Sequence, residues 1–208
     1  MVWLMTSKIN GTQDKTMNTL NEWYENFRKT KSDINEHLPV LKQYASKCDH
    51  ITEMGSRTGP STFTFLSSKP KKFVAYDIKS HPNIVKAQNL AKKENVNFVF
   101  EIKNVLNVKI EETDLLFIDT WHKYGQLKEE LKLHEGKVKK FIIFHDTETY
   151  GLKDEPDWGG KYKDVRPLSK DKKGIWPAIE ELLDGGNWVV DQRLTNNNGL
   201  TIIKRIKK

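Results

Sequence analysis

The chain carries a single cysteine, Cys48, in 208 residues. No internal disulfide can form, which favours a reducing compartment and excludes a crosslinked secreted framework. Cys48 precedes the first apolar strand and reads as a core or edge residue rather than a nucleophile. Long hydrophobic runs are also missing. The apolar residues at positions 1–5 are too few for a signal core or a membrane span, so the expectation is a cytoplasmic protein with no membrane partner. No internal repeat and no low-complexity tract is found. The net charge of +7 comes almost wholly from lysine. The lysines cluster weakly at 69–72, 137–140, 170–173 and 204–208, and no helix face carries a dense basic stripe. A solvated surface fits this better than a nucleic-acid footprint.

What is present suits a folded domain. Hydrophobic residues make up 37% and charged residues 30%, a polar surface without the composition of a disordered chain. The length fits one α/β domain with an N-terminal extension. Residues 1–15 turn polar after the first few and read as poorly ordered. Leu20, Trp23, Tyr24 and Phe27 then recur at helical spacing. Ser32 is placed as an N-cap, with Ile34, Leu38, Leu41 and Tyr44 along one face, and Pro39 divides a lead-in turn from the helix proper. This gives a helical extension over 1–47, packed on a domain over 48–208.

The domain opens on its most informative stretch. A strand over 50–54 runs into a loop with Gly55 and Gly59, a helix follows over about 61–67, and a strand over 73–78 contains Asp77. This is a βαβ unit with a glycine turn at its first crossover. Gly55 permits a sharp turn and close approach of a ligand, and Gly59 lets the helix start tight against the strand. Asp77 is placed to accept hydrogen bonds from a ribose diol. The spacing Glu53-x-Gly55-x-x-x-Gly59 is not that of a dinucleotide fold, although a generic α/β crossover carries similar glycines.

Downstream, strands and helices alternate: a helix over 82–94, a strand over 97–102 followed by Asn104, an apolar strand over 114–119, a helix over 125–133 and a strand over 140–144. The run Asp114-Leu-Leu-Phe-Ile-Asp119 is of the kind buried on both faces of a parallel sheet. Residues 147–174 break the pattern and read as a substrate-facing loop rather than plain disorder. A helix over 175–183 stops at Gly185-Gly186, and runs at 188–192 and 200–204 flank the turn Thr195-Asn-Asn-Asn-Gly199 as an antiparallel hairpin. The predicted fold is Rossmann-like α/β: a doubly wound, mostly parallel seven-stranded sheet with a C-terminal antiparallel hairpin.

A second constellation sits at the other strand ends, Asp119-Thr-Trp-His122-Lys-Tyr124 and His145-Asp146-Thr147. In a parallel sheet these ends are neighbours, so Asp119, His122, His145 and Asp146 can converge. Oxygen and nitrogen donors in an open site suit Mg2+, Mn2+ or a harder transition metal. Such an ion holds an acceptor hydroxyl and lowers its pKa, with His122 placed as general base. Taken singly, Asp119 also suits a helix cap or a cofactor contact, and His145 a core histidine. Lys123 and Tyr124 read as a solvated face, and Trp121 as packing, with an adenine ring as one partner it suits.

The Glu-x-Gly-x-x-x-Gly loop with Asp77 resembles motif I of the class I S-adenosylmethionine (SAM) methyltransferases. The pair Phe-Ile-Asp-Thr-Trp-His-Lys-Tyr-Gly and Ile-Ile-Phe-His-Asp-Thr is similar to the metal-dependent sugar O-methyltransferases of macrolide biosynthesis and to the cephalosporin hydroxylase-like group. Over 32–205 the chain also resembles compact methyltransferases of microbial and phage type. The resemblance implies SAM as cofactor, with Glu53, Gly55, Ser56, Arg57, Gly59, Asp77, Asn104 and Asp119 around it. It implies Mg2+ or another divalent metal on Asp119, His145 and Asp146, with His122 as base. The acceptor implied is a hydroxyl on a small molecule or sugar. This chain has His145 where that group commonly has Glu, which opens the identity of the metal. Two readings compete. One is a nucleic-acid methyltransferase, although an Asn-Pro-Pro-Tyr-like motif is missing. The other is a SAM- or metal-binding protein with different chemistry, for which the His/Asp set suits iron. Oligomerisation is compatible with all three.

Overall fold

The computed structural model describes residues 17–156 and 171–206; the expectations for 1–15 and for the middle of the 147–174 stretch lie outside the described residues. Seven strands form one sheet: β1 (His50–Met54), β2 (Lys72–Asp77), β3 (Phe98–Ile102), β4 (Thr113–Ile118), β5 (Val138–His145), β6 (Trp188–Leu194) and β7 (Leu200–Arg205). Their order is β3-β2-β1-β4-β5-β7-β6. The first five run parallel, and β7 pairs antiparallel with both β5 and β6. The chain steps outward from β1 to β3, then returns to the other side of β1 as β4. That reversal opens a crevice at the carboxyl ends of β1 and β4, where ligands of such sheets bind.

Six helices cover the sheet: α1 (Leu20–Lys29), α2 (Leu38–Ala45), α3 (Pro60–Ser67), α4 (Pro82–Lys93), α5 (Tyr124–His134) and α6 (Trp176–Asp184). Alternation along the strands sorts the core into two layers. Leu115, Phe117 and Ile143 face Leu20, Leu38, Leu41 and Phe63 from the N-terminal helices and α3. Leu116, Ile142 and Phe144 face Leu127, Leu131 and Ile179 from α5 and α6. Both faces of β4 are therefore sealed, which is what its unbroken apolar run requires. Among the described residues, no helix is long and apolar enough to cross a membrane.

The edges of elements differ from expectation for local reasons. Helix α1 is closed by a capping box, in which Thr19 Oγ1 accepts from Glu22 N–H (3.1 Å) and Glu22 Oε2 accepts from Thr19 N–H (3.1 Å). Ser32 does not cap α2. Its hydroxyl accepts from Asn35 N–H (3.1 Å) and closes a separate turn, and α2 begins at Leu38 with Pro39 in its first turn. Strand β5 starts at Val138, ahead of the apolar run, with Lys139 and Lys140 turned outward onto Glu112 and Asp114. Strand β6 runs on to Leu194 past a register shift between Val190 and Gln192.

Candidate functional site

The loop after β1 is held from beneath and from the side. Glu53 is fully buried and accepts hydrogen bonds from Ser56 Oγ (3.0 Å) and Thr62 Oγ1 (2.6 Å). Burial pushes its carboxyl up to about 7, against the pull of the Ser61, Thr62 and Ser56 hydroxyls. Glu53 thus ties β1 to its loop and to α3. Asp77, at the end of β2, accepts from the backbone N–H of Ser56 (2.9 Å) and Arg57 (2.8 Å) through Oδ2, while Oδ1 accepts from Lys79 N–H (3.1 Å). Gly55 has φ +88°, and a Cβ there would lie 2.0 Å from the Asp119 carbonyl oxygen. The glycine is therefore demanded by the close approach of the β4 end. Gly59 also has positive φ (+97°), while its missing Cβ would meet only ordinary contacts, so its conformation is what requires glycine. The Arg57 side chain is directed to Asp33 (2.8 Å) on the N-terminal extension. The Asn104 side chain accepts from Leu106 N–H (2.9 Å) and caps a short 3-10 turn over 105–107.

One strand over, four residues converge. His122 Nε2 lies 3.3 Å from Asp119 Oδ1 and 3.6 Å from Asp146 Oδ2. His145 Nδ1 lies 3.4 Å from the same Asp119 oxygen and 3.3 Å from Asp146 Oδ1. Asp119, His145 and Asp146 each offer a ligand atom, all within 4.8 Å of one another. His145 is 2% exposed and Asp146 8%. Buried atoms of this set, His145 Nδ1 and Nε2 and Asp146 Oδ1, make no conventional hydrogen bond. Buried polar atoms are rarely left so, and a cation among them would satisfy the donor set. Asp146 adopts φ +59°, a left-handed conformation that turns the chain off β5.

The charges reinforce one another. Burial raises the Asp119 carboxyl, but His145 and His122 beside it outweigh this and hold it well below the usual range. Burial opposes charging of His122, yet its bonds to Asp119 and Glu155 push it up to about 10. Burial together with the Asp119 charge raises Asp146, against the pull of His145.

The described ends of the 147–174 stretch are tied to this edge. Thr147 N–H donates to Gly199 O, and Glu148 and Thr149 N–H donate to Asn198 O (2.9 and 3.1 Å). Gly199 has φ +93°, and a Cβ there would sit 2.4 Å from Glu148 N, so the hairpin turn and the loop after β5 must meet as bare backbone. Ile175 and Trp176 N–H donate to Tyr150 and Gly151 carbonyls, closing the far end of the stretch. Trp158 and Tyr162 lie outside the described residues.

No protein-family model matches the sequence, and no curated protein matches it. Solved structures do match in shape. A candidate caffeoyl-CoA O-methyltransferase from Staphylococcus aureus is 20% identical, with 89% of this chain and 90% of that one covered at a TM-score of 0.58. The methyltransferase PaMTH1 of Podospora anserina, bound to S-adenosylhomocysteine (SAH), is 18% identical over 90% and 88% of the two chains, with a TM-score of 0.54. The N-methyltransferase NodS of Bradyrhizobium japonicum, also with SAH, is 10% identical over 92% and 100%, with a TM-score of 0.57. The chain has the class I methyltransferase fold.

Within this methyltransferase fold the site contains residues that motif reading passes over. Glu155 Oε2 lies 2.9 Å from His122 Nδ1 and accepts from His122 N–H (3.1 Å), while Glu155 N–H donates to His122 O (3.0 Å). A lone Glu in a stretch without periodicity carries no signal of such a role. His37, at the start of α2, is fully buried and stands edge-on to His145, with ring centroids 5.6 Å apart. The turn Asn196–Gly199 is a clasp as well as a hairpin end. Asn197 Oδ1 accepts from Glu36 N–H (3.0 Å), and Asn197 Nδ2 donates to Ser32 O (2.7 Å). One expectation is corrected. Lys123 is not on a solvated face: it is 7% exposed, with its ammonium 3.9 Å from the centre of the Trp121 ring.

Proposed function

We propose that the protein is a SAM-dependent methyltransferase that methylates a hydroxyl of a small molecule or sugar with the help of a divalent cation. Residues 48–208 would form the cofactor-binding domain, with 1–47 as an extension packed on it. One observation carries the reading: on a methyltransferase fold, the Asp119–His122–Asp146 group meets at strand ends directly beside the glycine loop, the Gly55 position touching the Asp119 backbone.

The 55–59 loop and Asp77 would hold SAM, which would supply an electrophilic methyl group. Asp119, His145 and Asp146 would hold a divalent cation, which would supply Lewis-acid polarisation of the acceptor oxygen. The chain's own residues manage the proton and the geometry. A cation on Asp119 and Asp146 would offset the two charges that, with Glu155, favour the imidazolium, and so would let His122 start neutral. Its Nε2 then takes the acceptor proton, as a base of this kind does near neutral pH. Glu155 holds the opposite nitrogen, fixes the tautomer and stabilises the imidazolium that results. Tyr150 stacks on the His122 ring at 5.2 Å and keeps its plane fixed. The ion pairs of Lys71, Lys72, Lys139 and Lys140 with surface carboxylates support a solvated face over a nucleic-acid footprint.

Calorimetric titration with SAH, with and without Mg2+, tests the reading. Micromolar binding is expected, followed by methyl transfer to a hydroxylated acceptor in a screen. No binding in either condition overturns it.

A further inference from the structure

We infer that the Asp119–His145–Asp146 site takes a later first-row transition ion such as Co2+ in preference to Mg2+, and that His37 is the residue that positions His145 for it. The inference rests on the metal-assisted reading above. Its first ground is donor type. Mg2+ favours an octahedron of oxygens, whereas imidazole nitrogen favours the later divalent ions. His145 cannot be replaced at the site by a mobile oxygen donor, because it is 2% exposed at the end of β5. Its Nδ1 faces both carboxylates, at 3.4 Å from Asp119 and 3.3 Å from Asp146. Ligand atoms about 2.1 Å from one ion stand roughly 3.0–3.4 Å apart, so these two separations from His145 suit an ion's shell. Two carboxylates also balance a divalent charge, with a neutral imidazole completing the set.

The second ground is the contact beside the ring. A metal-bound histidine is held in orientation by the groups around it. The His37 ring stands at 76° to that of His145, and the two are in edge contact. Its backbone is anchored at Ile34 and Leu41, and its neighbour Glu36 is held by Asn196 and Asn197 of the β6–β7 turn. The N-terminal extension thereby reaches the metal side of the site.

The experiment titrates chelator-treated full-length protein with Co2+, Mn2+ and Mg2+ by calorimetry, follows the Co2+ absorption bands, and titrates SAH into the same preparations. Wild type is expected to bind Co2+ at least about 100-fold more tightly than Mg2+, with Mn2+ between them. Because most sites prefer Co2+ to some degree, His145→Asp is the deciding variant: it should narrow the preference by about tenfold or more. His37→Phe should weaken Co2+ by roughly tenfold and shift the bands. His37→Gln serves as the second variant if the bulkier ring disturbs folding, and should shift the bands likewise. Equal affinity for Mg2+ and Co2+ in wild type, or an unchanged preference in His145→Asp, overturns the metal assignment. Unchanged bands in a folded His37 variant overturn its positioning role. SAH binding that survives such a failure leaves the methyltransferase reading intact, whereas selective metal binding without SAH binding breaks that reading alone.

Discussion

At the end of β1, ionisable groups are spent on backbone. Asp77 holds two loop amides, Glu53 holds two hydroxyls, and Arg57 is drawn away to Asp33. At the ends of β4 and β5, ionisable groups face one another, with Asp119, His122, His145 and Asp146 all within 3.3–3.6 Å contacts. The first edge is a scaffold that presents a loop. The second is a cluster of charge whose members are incompletely satisfied without a further partner. Substitutions should therefore separate: changes at the first edge alter affinity and stability, and changes at the second alter turnover.

The largest separation is expected at His122. Replacing it with Ala removes the proposed base and should lower kcat by about 100- to 10,000-fold, the usual contribution of a positioned base. SAH affinity by calorimetry should stay within about twofold. A variant that keeps full activity removes His122 from the mechanism. Glu155→Gln keeps the size of the side chain but weakens the hold on Nδ1, and a smaller loss, roughly tenfold, is expected. Equal losses for the two variants would mean that the loop carboxylate acts as more than an orienting group.

The next effect belongs to the scaffold and is one of stability. Glu53 is raised from 4.5 to about 7 by burial. The folded protein therefore binds this proton more tightly than the unfolded chain. The stabilisation is full below about pH 4.5, declines as pH rises, and is lost above pH 7. The shift corresponds to about 3 kcal/mol. Glu130, buried and also raised to about 7, acts in the same direction, so the comparison must be differential. Denaturant unfolding of wild type and Glu53→Gln from pH 5 to 8 should show the wild type losing stability relative to the variant. Parallel curves would mean that Glu53 does not titrate in this window.

Asp77→Ala follows. It removes two charge-assisted bonds to the loop and the proposed acceptor for the ribose hydroxyls. A 10- to 100-fold loss of SAH affinity is expected, since bonds to a charged group are worth roughly 1.5–3 kcal/mol. Unchanged affinity would leave Asp77 as a brace for the loop and nothing more.

The two edges were not equally legible. The loop was read from spacing, because two glycines and an acid at fixed offsets reflect demands of the backbone itself. Even so, the demand at Gly55 comes from the Asp119 carbonyl rather than from a ligand, a contact between strands that no local pattern encodes. The second edge was read from position: a residue at a parallel strand's end is placed by topology, so Asp119, His145 and Asp146 could be grouped before any coordinates. Glu155 and His37 reach the site from irregular backbone more than 30 and 100 residues from their partners in sequence, and such contacts leave no period to find. Lys123 was misplaced because its class is usually solvated, whereas here an aromatic face accepts the ammonium.

The smallest effect probes the boundary between the edges. Motif position puts Arg57 at the cofactor, but its guanidinium pairs with Asp33 and the side chain is 78% exposed. An exposed ion pair of this kind contributes little, commonly under about 1 kcal/mol. Arg57→Ala should therefore leave thermal stability nearly unchanged and SAH affinity within about twofold. Its main-chain N–H, which donates to Asp77, survives the substitution, so the loop keeps its brace. The left-handed backbone at Arg57 (φ 44°) suits Gly better than Ala, and Arg57→Gly separates that strain from loss of the guanidinium. If both variants weaken SAH tenfold, Arg57 swings from Asp33 to the cofactor on binding. The first edge would then contain a moving charge, and its contrast with the second would hold only for the ligand-free protein.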